Sequence, residues 1–303
     1  MARRKNPLGC RHRGHLRDRL PLGLTILLLI GPGLTLPGFA AAQGVLADHL
    51  PEFVPVPPGT FRMGSPYGDP IVRKEEQPAH EVTLTRPFLI ARVEVTRELW
   101  RAVMNEDPGY FADCVGCPVE NVTWYRAIEF CNALSDSLGL EAAYRREGDL
   151  VIWNLEADGF RLPTEAEWEC ACRAGTTTRF HSGDCLTTDQ ANFNGYEPLG
   201  GCPTGLDRAQ PLPVGSFPPN TWELFDMHGN VSEWCWDATG GYPSGPVIDP
   251  TGPGDGPQRC FRGGSWFSQD WHCRSAARFF VAPTNRYDFV GLRLARSLQL
   301  DRK

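Results

Sequence analysis

The densest oxygen chemistry in the chain lies in the run Asp226-Met227-His228-Gly229-Asn230-Val231-Ser232-Glu233. Two carboxylates stand at its ends, and Gly229 between them permits the tight turn that would bring them together. Calcium takes about six to eight oxygens, from carboxylates and main-chain carbonyls alike. Asp226 and Glu233, with the carbonyls of Gly229 and Val231, therefore form a candidate calcium ligand set; on spacing alone, an ordinary solvated turn is the stronger reading. His228 reads as a hydrogen-bonded turn residue rather than a metal ligand. A second group of acids, in Pro163-Thr164-Glu165-Ala166-Glu167-Trp168-Glu169, invites an acid–base reading. The plainer account is a first helical turn whose carboxylates complement the helix dipole, with Thr164 and Glu167 as a capping box. Gly264-Ser265-Trp266 is not a nucleophile elbow, and spacing assembles no Ser-His-Asp set.

The elements that must position these residues are short. Residues 54–63 and 81–84 are rich in β-branched or alternating residues and predict strands, with Pro55, Pro57 and Pro58 placing the first at a sheet edge. Residues 96–104 have helical spacing, with Leu99, Trp100 and Val103 on one side and Thr96 as the cap. Residues 122–138 predict a second helix capped by Thr123, and 150–153 a hairpin strand. Residues 240–256, dominated by Gly, Pro, Ser and Asp, predict a surface loop. With Gly 32, Pro 27 and Trp 9, the composition suits a loop-rich fold with aromatic anchors, not a helical bundle.

The N-terminus reads as an export signal over residues 1–42, followed by one domain over 43–303. Arg3, Arg4, Lys5, Arg11, Arg13, Arg17 and Arg19 precede an apolar run at 24–29, and Phe39-Ala40-Ala41-Ala42 offers a small-residue cleavage site. Gly31, Pro32, Gly33 and Pro37 interrupt the run, which falls short of the ~20 residues of a spanning helix. A periplasmic or secreted protein with no stable membrane span is expected. The signal holds seven of the 30 basic and one of the 36 acidic residues, leaving 23 against 35 and a formal charge of −12. So acidic a domain repels phosphate backbones, which excludes nucleic acid as a partner and favours metal cations. Of 11 cysteines, Cys10 leaves with the signal. The even number left, in an oxidising compartment, reads as disulfides, with Cys114–Cys117 and Cys185–Cys202 as expected pairs. Cys114-Val115-Gly116-Cys117 with Cys170-Ala171-Cys172 as halves of a zinc site is the weaker alternative.

Six ordered motifs carry a family resemblance. They are Pro57-Pro58-Gly59-Thr60-Phe61-Arg62-Met63-Gly64-Ser65, Glu94-Val95-Thr96, Pro118-Val119-Glu120-Asn121-Val122-Thr123-Trp124, Phe160-Arg161-Leu162-Pro163-Thr164-Glu165-Ala166-Glu167-Trp168-Glu169, His228-Gly229-Asn230-Val231-Ser232-Glu233-Trp234, and Arg262-Gly263-Gly264-Ser265-Trp266. Together, over a core of about residues 53–296, they resemble the formylglycine-generating enzyme family, the sulfatase-modifying factors. The resemblance implies a compact α+β fold with little regular secondary structure, related in outline to C-type lectins. It also implies calcium at Asp226, Gly229, Val231 and Glu233, where the family has an amide in place of Asp226. A second calcium site falls on Asn192 and Phe193, with Asp207 as a further ligand.

The family's oxidases convert a substrate cysteine to formylglycine with molecular oxygen and copper(I) held by two thiolates. Here the first thiolate position holds Ser268, a hard hydroxyl donor that cannot replace a thiolate. Cys273 corresponds to the second only when counted from the glycines, and half of a disulfide is the expected state for it. Ser265 and Arg278 match an active-site serine and a family arginine. The four residues Ser265, Ser268, Cys273 and Arg278 are thus the candidate catalytic set, with the copper pair incomplete. Arg274, Arg278, Arg286 and Arg293 read first as partners of internal carboxylates and second as receivers of an anionic ligand. The sequence reading is an exported sulfatase-modifying-factor-like domain with a calcium loop, serving as a binding or accessory module for a protein or peptide ligand. Formylglycine generation, or oxidation of another substrate, is the alternative.

Overall fold

Pro57 and Pro58 divide the first β-rich run, since their missing amides end one strand before the next begins. β1 (Phe53–Val56) and β2 (Gly59–Met63) lie on either side. The computed structural model describes residues 46–298 apart from 67, 69, 70, 112 and 254, so the proposed signal at 1–42 lies outside the described residues. β1 is an edge strand, as its prolines predict. It pairs antiparallel with β4 (Phe88–Ala91), in a sheet of order β1-β4-β13-β7 completed by β13 (Ala295–Ser297) and β7 (Phe160–Arg161). β2 pairs with β3 (His80–Leu84), which is one residue longer than predicted.

The helices follow their caps. α1 (Arg97–Met104) starts where Thr96 Oγ1 accepts the Leu99 amide at 3.2 Å, and it ends at Asn105, in the left-handed region at φ 53°. α2 (Trp124–Ser137) starts after Thr123, whose Oγ1 accepts the Arg126 amide at 3.1 Å, two residues later than the apolar pattern begins. α3 (Glu165–Arg173) carries the expected box: Thr164 Oγ1 accepts from the Glu167 amide at 3.1 Å, and Glu167 Oε2 from the Thr164 amide at 2.8 Å. Arg161 then grips both oxygens of Glu167, at 2.6 and 2.7 Å. The acids of this motif build the fold, because Glu165 and Glu169 also pair with arginines.

β5 (Tyr144–Glu147) and β6 (Leu150–Trp153) form the predicted hairpin. The loop at 240–256 is irregular except for β9 (Val247–Ile248), which runs parallel to β3. β8 (Ser232–Ala238) is buried along its whole length. It is central in a sheet of order β11-β10-β8-β12, with β10 (Arg259–Arg262), β11 (Arg278–Val281) and β12 (Val290–Leu292). β8 grows out of the Asp226–Glu233 run and β10 runs into Gly263-Gly264, so the two richest motifs meet at one end of this sheet.

Among the described residues, three apolar clusters fill the interior. The largest packs Leu99, Trp100, Trp124, Ile128 and Phe130 against Trp234 and Phe261. The second gathers Val82, Ile90, Trp168, Met227, Cys235 and Cys260, and the third Phe180, Leu186, Phe193 and Cys273. Cys114–Cys117 and Cys185–Cys202 are bonded as expected. The expectation that all ten cysteines pair is not met, since Cys131, Cys170, Cys172, Cys235, Cys260 and Cys273 are thiols. Five of these six are fully buried and fill core space as small apolar side chains. Among the described residues no helix is long and apolar enough to cross a membrane.

Candidate functional site

Register brings the candidate residues together: Arg262 at the end of β10 stands opposite Glu233 on β8. The two runs are then stitched by the Gly229 amide donating to the Gly263 carbonyl and the Trp266 amide to the Asn230 carbonyl, each at 2.8 Å. Gly229 is required here. Its φ is +99°, and a Cβ would lie 2.3 Å from the Asn192 carbonyl oxygen. That same carbonyl accepts the Asn230 amide at 2.8 Å, so the two candidate calcium sites abut.

The 226–233 run encloses more charge than its own sequence contains. Glu233 is held by Arg293, with contacts between 2.7 and 3.0 Å, and by the Trp168 indole N–H at 2.6 Å. Asp226 accepts the Gly215 amide at 2.6 Å. Glu94, which sequence reasoning passed over, is fully buried and accepts from the Asn230 side chain at 2.9 Å and the Val231 amide at 3.1 Å. Three carboxylates thus face the Arg293 guanidinium. Burial, then the charges of Asp226 and Glu233, hold the Glu94 carboxyl well above its usual range. Burial lifts Asp226 to about 6, with Glu233 adding to the rise and the Gly215 amide and Arg293 opposing it. The sequence signal for Glu94 was the Glu94-Val95-Thr96 motif, which carried the family resemblance but no role for the carboxylate.

A hard cation fits these donors by type and by charge, since one guanidinium leaves the three carboxylates with surplus negative charge. Among the described residues no group of three His, Cys, Asp or Glu side chains is arranged to hold a metal, so main-chain oxygens such as those of Gly229 and Val231 would have to complete the shell. Asn192 gives a second observation of the same kind. It is buried, its Nδ2 donates to the Gln210 carbonyl at 2.9 Å and to Asn230 Oδ1 at 3.2 Å, and its Oδ1 has no partner. A buried acceptor without a donor costs about 1–3 kcal/mol, and a cation would satisfy it. Phe193 is buried beside it, and Asp207 accepts the Ala209 amide at 2.9 Å in the loop that ends at Gln210.

At the glycine turn, three of the four candidate catalytic residues meet. The Ser265 amide donates to Ser268 Oγ at 3.1 Å, and the two hydroxyls also lie 3.1 Å apart. The Cys273 thiol packs onto Gly264, where a Cβ would lie 2.5 Å from its sulfur. Cys273 is a free, fully buried thiol, not the expected half of a disulfide, because the Gly264 turn and the Asp270–Cys273 segment seal it. Burial, then the Asp270 carboxylate, pushes its ionisation far above the usual thiol value. Two hydroxyls and a thiol held protonated do not fit copper(I), which takes soft thiolates.

Arg278 stands apart from this group. It pairs with Glu165, donates to the carbonyls of Glu75 at 3.1 Å and Gly240 at 3.0 Å, and stacks over Tyr242. Arg274 likewise grips Glu76 at 2.7 Å on both oxygens, so Arg274, Arg278 and Arg293 are internal partners of carboxylates, while Arg286 is exposed. His228 is the expected turn residue. Its Nδ1 lies 2.7 Å from the Cys273 carbonyl and its Nε2 accepts the His181 amide at 3.0 Å, which fixes the proton on Nδ1. Burial, then His181, brings His228 down to about 3. His272 meets the Arg73 guanidinium at 3.0 Å, and burial, then Arg73, lowers it to about 4. A cleft of about 230 Å³ opens beside Ser65, Arg173 and Arg274, and a larger one of about 500 Å³ between Trp153, Arg161 and Asp249; neither is lined by Ser265, Ser268 or Cys273.

Comparison with known proteins bears on the fold. The pattern of the sulfatase-modifying factor enzyme 1-like domain matches residues 39–298. The formylglycine-generating enzyme of Streptomyces coelicolor is 30% identical, the match covering 82% of this chain and 90% of that one. A chaperone protein LppX of Paenibacillus barcinonensis is 37% identical over 52% of this chain, which spans 64% of that relative's length. Among solved structures, Treponema denticola variable protein 1 superposes with a TM-score of 0.70 at 30% identity, covering 81% of this chain and 95% of that one. PvdO from Pseudomonas aeruginosa does so at 0.64 and 27%, covering 82% and 95%. These neighbours bear out the expected fold.

Proposed function

Since the chain belongs to the sulfatase-modifying factor family, we propose that it is an exported binding or accessory module of that family, with calcium in the 226–233 run and no peptidyl-cysteine oxidase activity. One observation carries this reading: the turn that would supply a thiolate pair holds Ser265 and Ser268, hydrogen-bonded to one another, over a buried Cys273 thiol. Neither a soft ligand pair nor an accessible nucleophile is available there.

The calcium part is supported by the surplus of carboxylate over guanidinium around Arg293 and by the unpartnered Asn192 Oδ1. Export rests on the layout of residues 1–42. The chaperone relative supports a protein or peptide as ligand, and the acidity of residues 43–303 argues against nucleic acid. Formylglycine generation is the second reading, favoured by identity along 90% of the length of a formylglycine-generating enzyme. Co-expression with a peptide containing Cys-x-Pro-x-Arg, followed by mass spectrometry, decides between them. No aldehyde is expected, and copper- and oxygen-dependent conversion would overturn the accessory reading.

A further inference from the structure

β8 and β10 carry two cysteines that the two existing disulfides leave unused. Arg262 faces Glu233 and Phe261 faces Trp234; the register then shifts between Phe261 and Arg259, so Cys260 sits at the irregularity that follows the Phe261–Trp234 pair, as Cys235 follows that pair on β8. Both cysteines are fully buried in the same apolar cluster, so both side chains point to one side of the sheet. The two thiols interact electrostatically, and each sulfur also approaches a carbonyl of its own strand, Cys235 Sγ that of Glu233 at 3.9 Å and Cys260 Sγ that of Phe261 at 3.8 Å. Facing residues of antiparallel strands have Cα atoms about 4.5–5.5 Å apart, so two cysteines that both follow the Phe261–Trp234 pair come within reach of the disulfide range of about 4.4–6.8 Å. The other thiols are differently engaged. Cys172 donates to Ser275 Oγ at 3.6 Å, while Cys131 and Cys273 lie in the other two clusters.

We propose that Cys235 and Cys260 close to a cross-strand disulfide as the exported chain folds, an inference that rests on the export reading. Its oxidant is an external disulfide, either a thiol oxidoreductase or glutathione disulfide. One cysteine thiolate attacks a sulfur of the oxidant and expels one thiol; the second cysteine attacks the mixed disulfide and expels the other. Two thiols of the chain are oxidised to one disulfide, and the oxidant's disulfide is reduced to two thiols, which take up both protons. Because both sulfurs are sealed in the finished core, exchange precedes closure of β8 on β10. The bond has a consequence for the site. It ties the strand that leaves the 226–233 run to the strand that enters the Gly263-Gly264 turn, and it pins the base of the Gly- and Pro-rich loop at 240–256.

The test is to refold the full chain from denaturant in a glutathione redox buffer, alkylate it, and map peptides without reduction. In molecules with Cys185–Cys202 closed, a Cys235–Cys260 linked peptide is expected, with Cys131, Cys170, Cys172 and Cys273 alkylated. Recovery of Cys235 and Cys260 both alkylated, or either linked elsewhere, overturns the proposal. A Cys260→Val variant keeps the buried volume apolar and is expected to refold with an unchanged circular dichroism spectrum and a Cys235 that alkylates; a linked Cys235 in that variant would also count against the pair. Mapping the same peptides in chain from whole cells, with its partition between cytoplasm and exterior measured alongside, separates the two premises. Closure in the refolding tube with reduced chain retained in the cytoplasm would refute export and leave the pair standing, whereas a reduced pair in exported chain would overturn the proposal.

Discussion

Arg293 has two tasks that a single substitution separates. Its guanidinium neutralises Glu233 and caps the carbonyls of Ala91 at 2.9 Å and Phe225 at 2.8 Å. Replacing it with methionine leaves Glu233, Glu94 and Asp226 without their cation, and breaking such a buried pair costs about 3–5 kcal/mol. If calcium occupies the run, the Arg293→Met protein should regain much of this loss when calcium is added, and its calcium-dependent rise in Tm should exceed that of the native chain. In Asp226→Ala the rise should shrink or vanish. Equal Tm in calcium and in chelator for the native protein would reject the calcium site. At this scale the sequence was informative where a residue acts through its neighbours along the chain, as Thr96, Thr123 and Thr164 do as caps. It marked Arg293 as the partner of an internal carboxylate without saying which, and it assigned Glu94 no role, because the partners of both come from residues far away in sequence and no spacing encodes that meeting.

Individual elements carry local rules and long-range closures with different legibility. The capping box of α3 was readable because Thr164 and Glu167 are three residues apart, and Thr164→Ala should cost about 1 kcal/mol in urea unfolding, with little change in the calcium response. The glycine turn after β10 is a sharper case. Gly264 has φ +68°, and an added Cβ would meet the Cys273 sulfur at 2.5 Å and its backbone at 3.0 Å. Backbone strain and overpacking of about 1–3 kcal/mol each predict a loss of about 2–5 kcal/mol for Gly264→Ala, again by urea unfolding. The sheets themselves were not legible. β13 closes between β4 and β7, and β12 lies parallel to β8. Strands of three residues with partners on distant segments leave no periodicity to read. The thiols were misjudged for a related reason: an even cysteine count says nothing of which sulfurs the core holds apart.

Across the whole molecule, buried acids of opposite tendency set a pH optimum. Glu169 is held below the usual carboxylate range: burial raises it, but Arg173 and Arg262 outweigh that. Its contribution to stability is full above about pH 4.5 and fades as pH falls through its lowered folded value. Asp226 at about 6 and Asp237 at about 7 are raised, first by burial, with Glu165 adding to Asp237. A carboxyl with a raised folded value keeps its proton in the native state after the unfolded chain has released it. The native state then binds more protons, and stability declines as pH rises from about 4 to about 7. Without divalent cations, the urea midpoint should therefore be higher near pH 5 than near pH 7.5. Calcium reverses the trend at one of these two groups only, because it binds the ionised form of Asp226 and not Asp237. Its stabilising effect should grow from pH 5 to pH 7.5, and Asp226→Asn should flatten that growth while leaving the decline due to Asp237 in place. A calcium effect that is the same at both pH values would place the cation away from Asp226, and the charge surplus around Arg293 would then be balanced by protons alone.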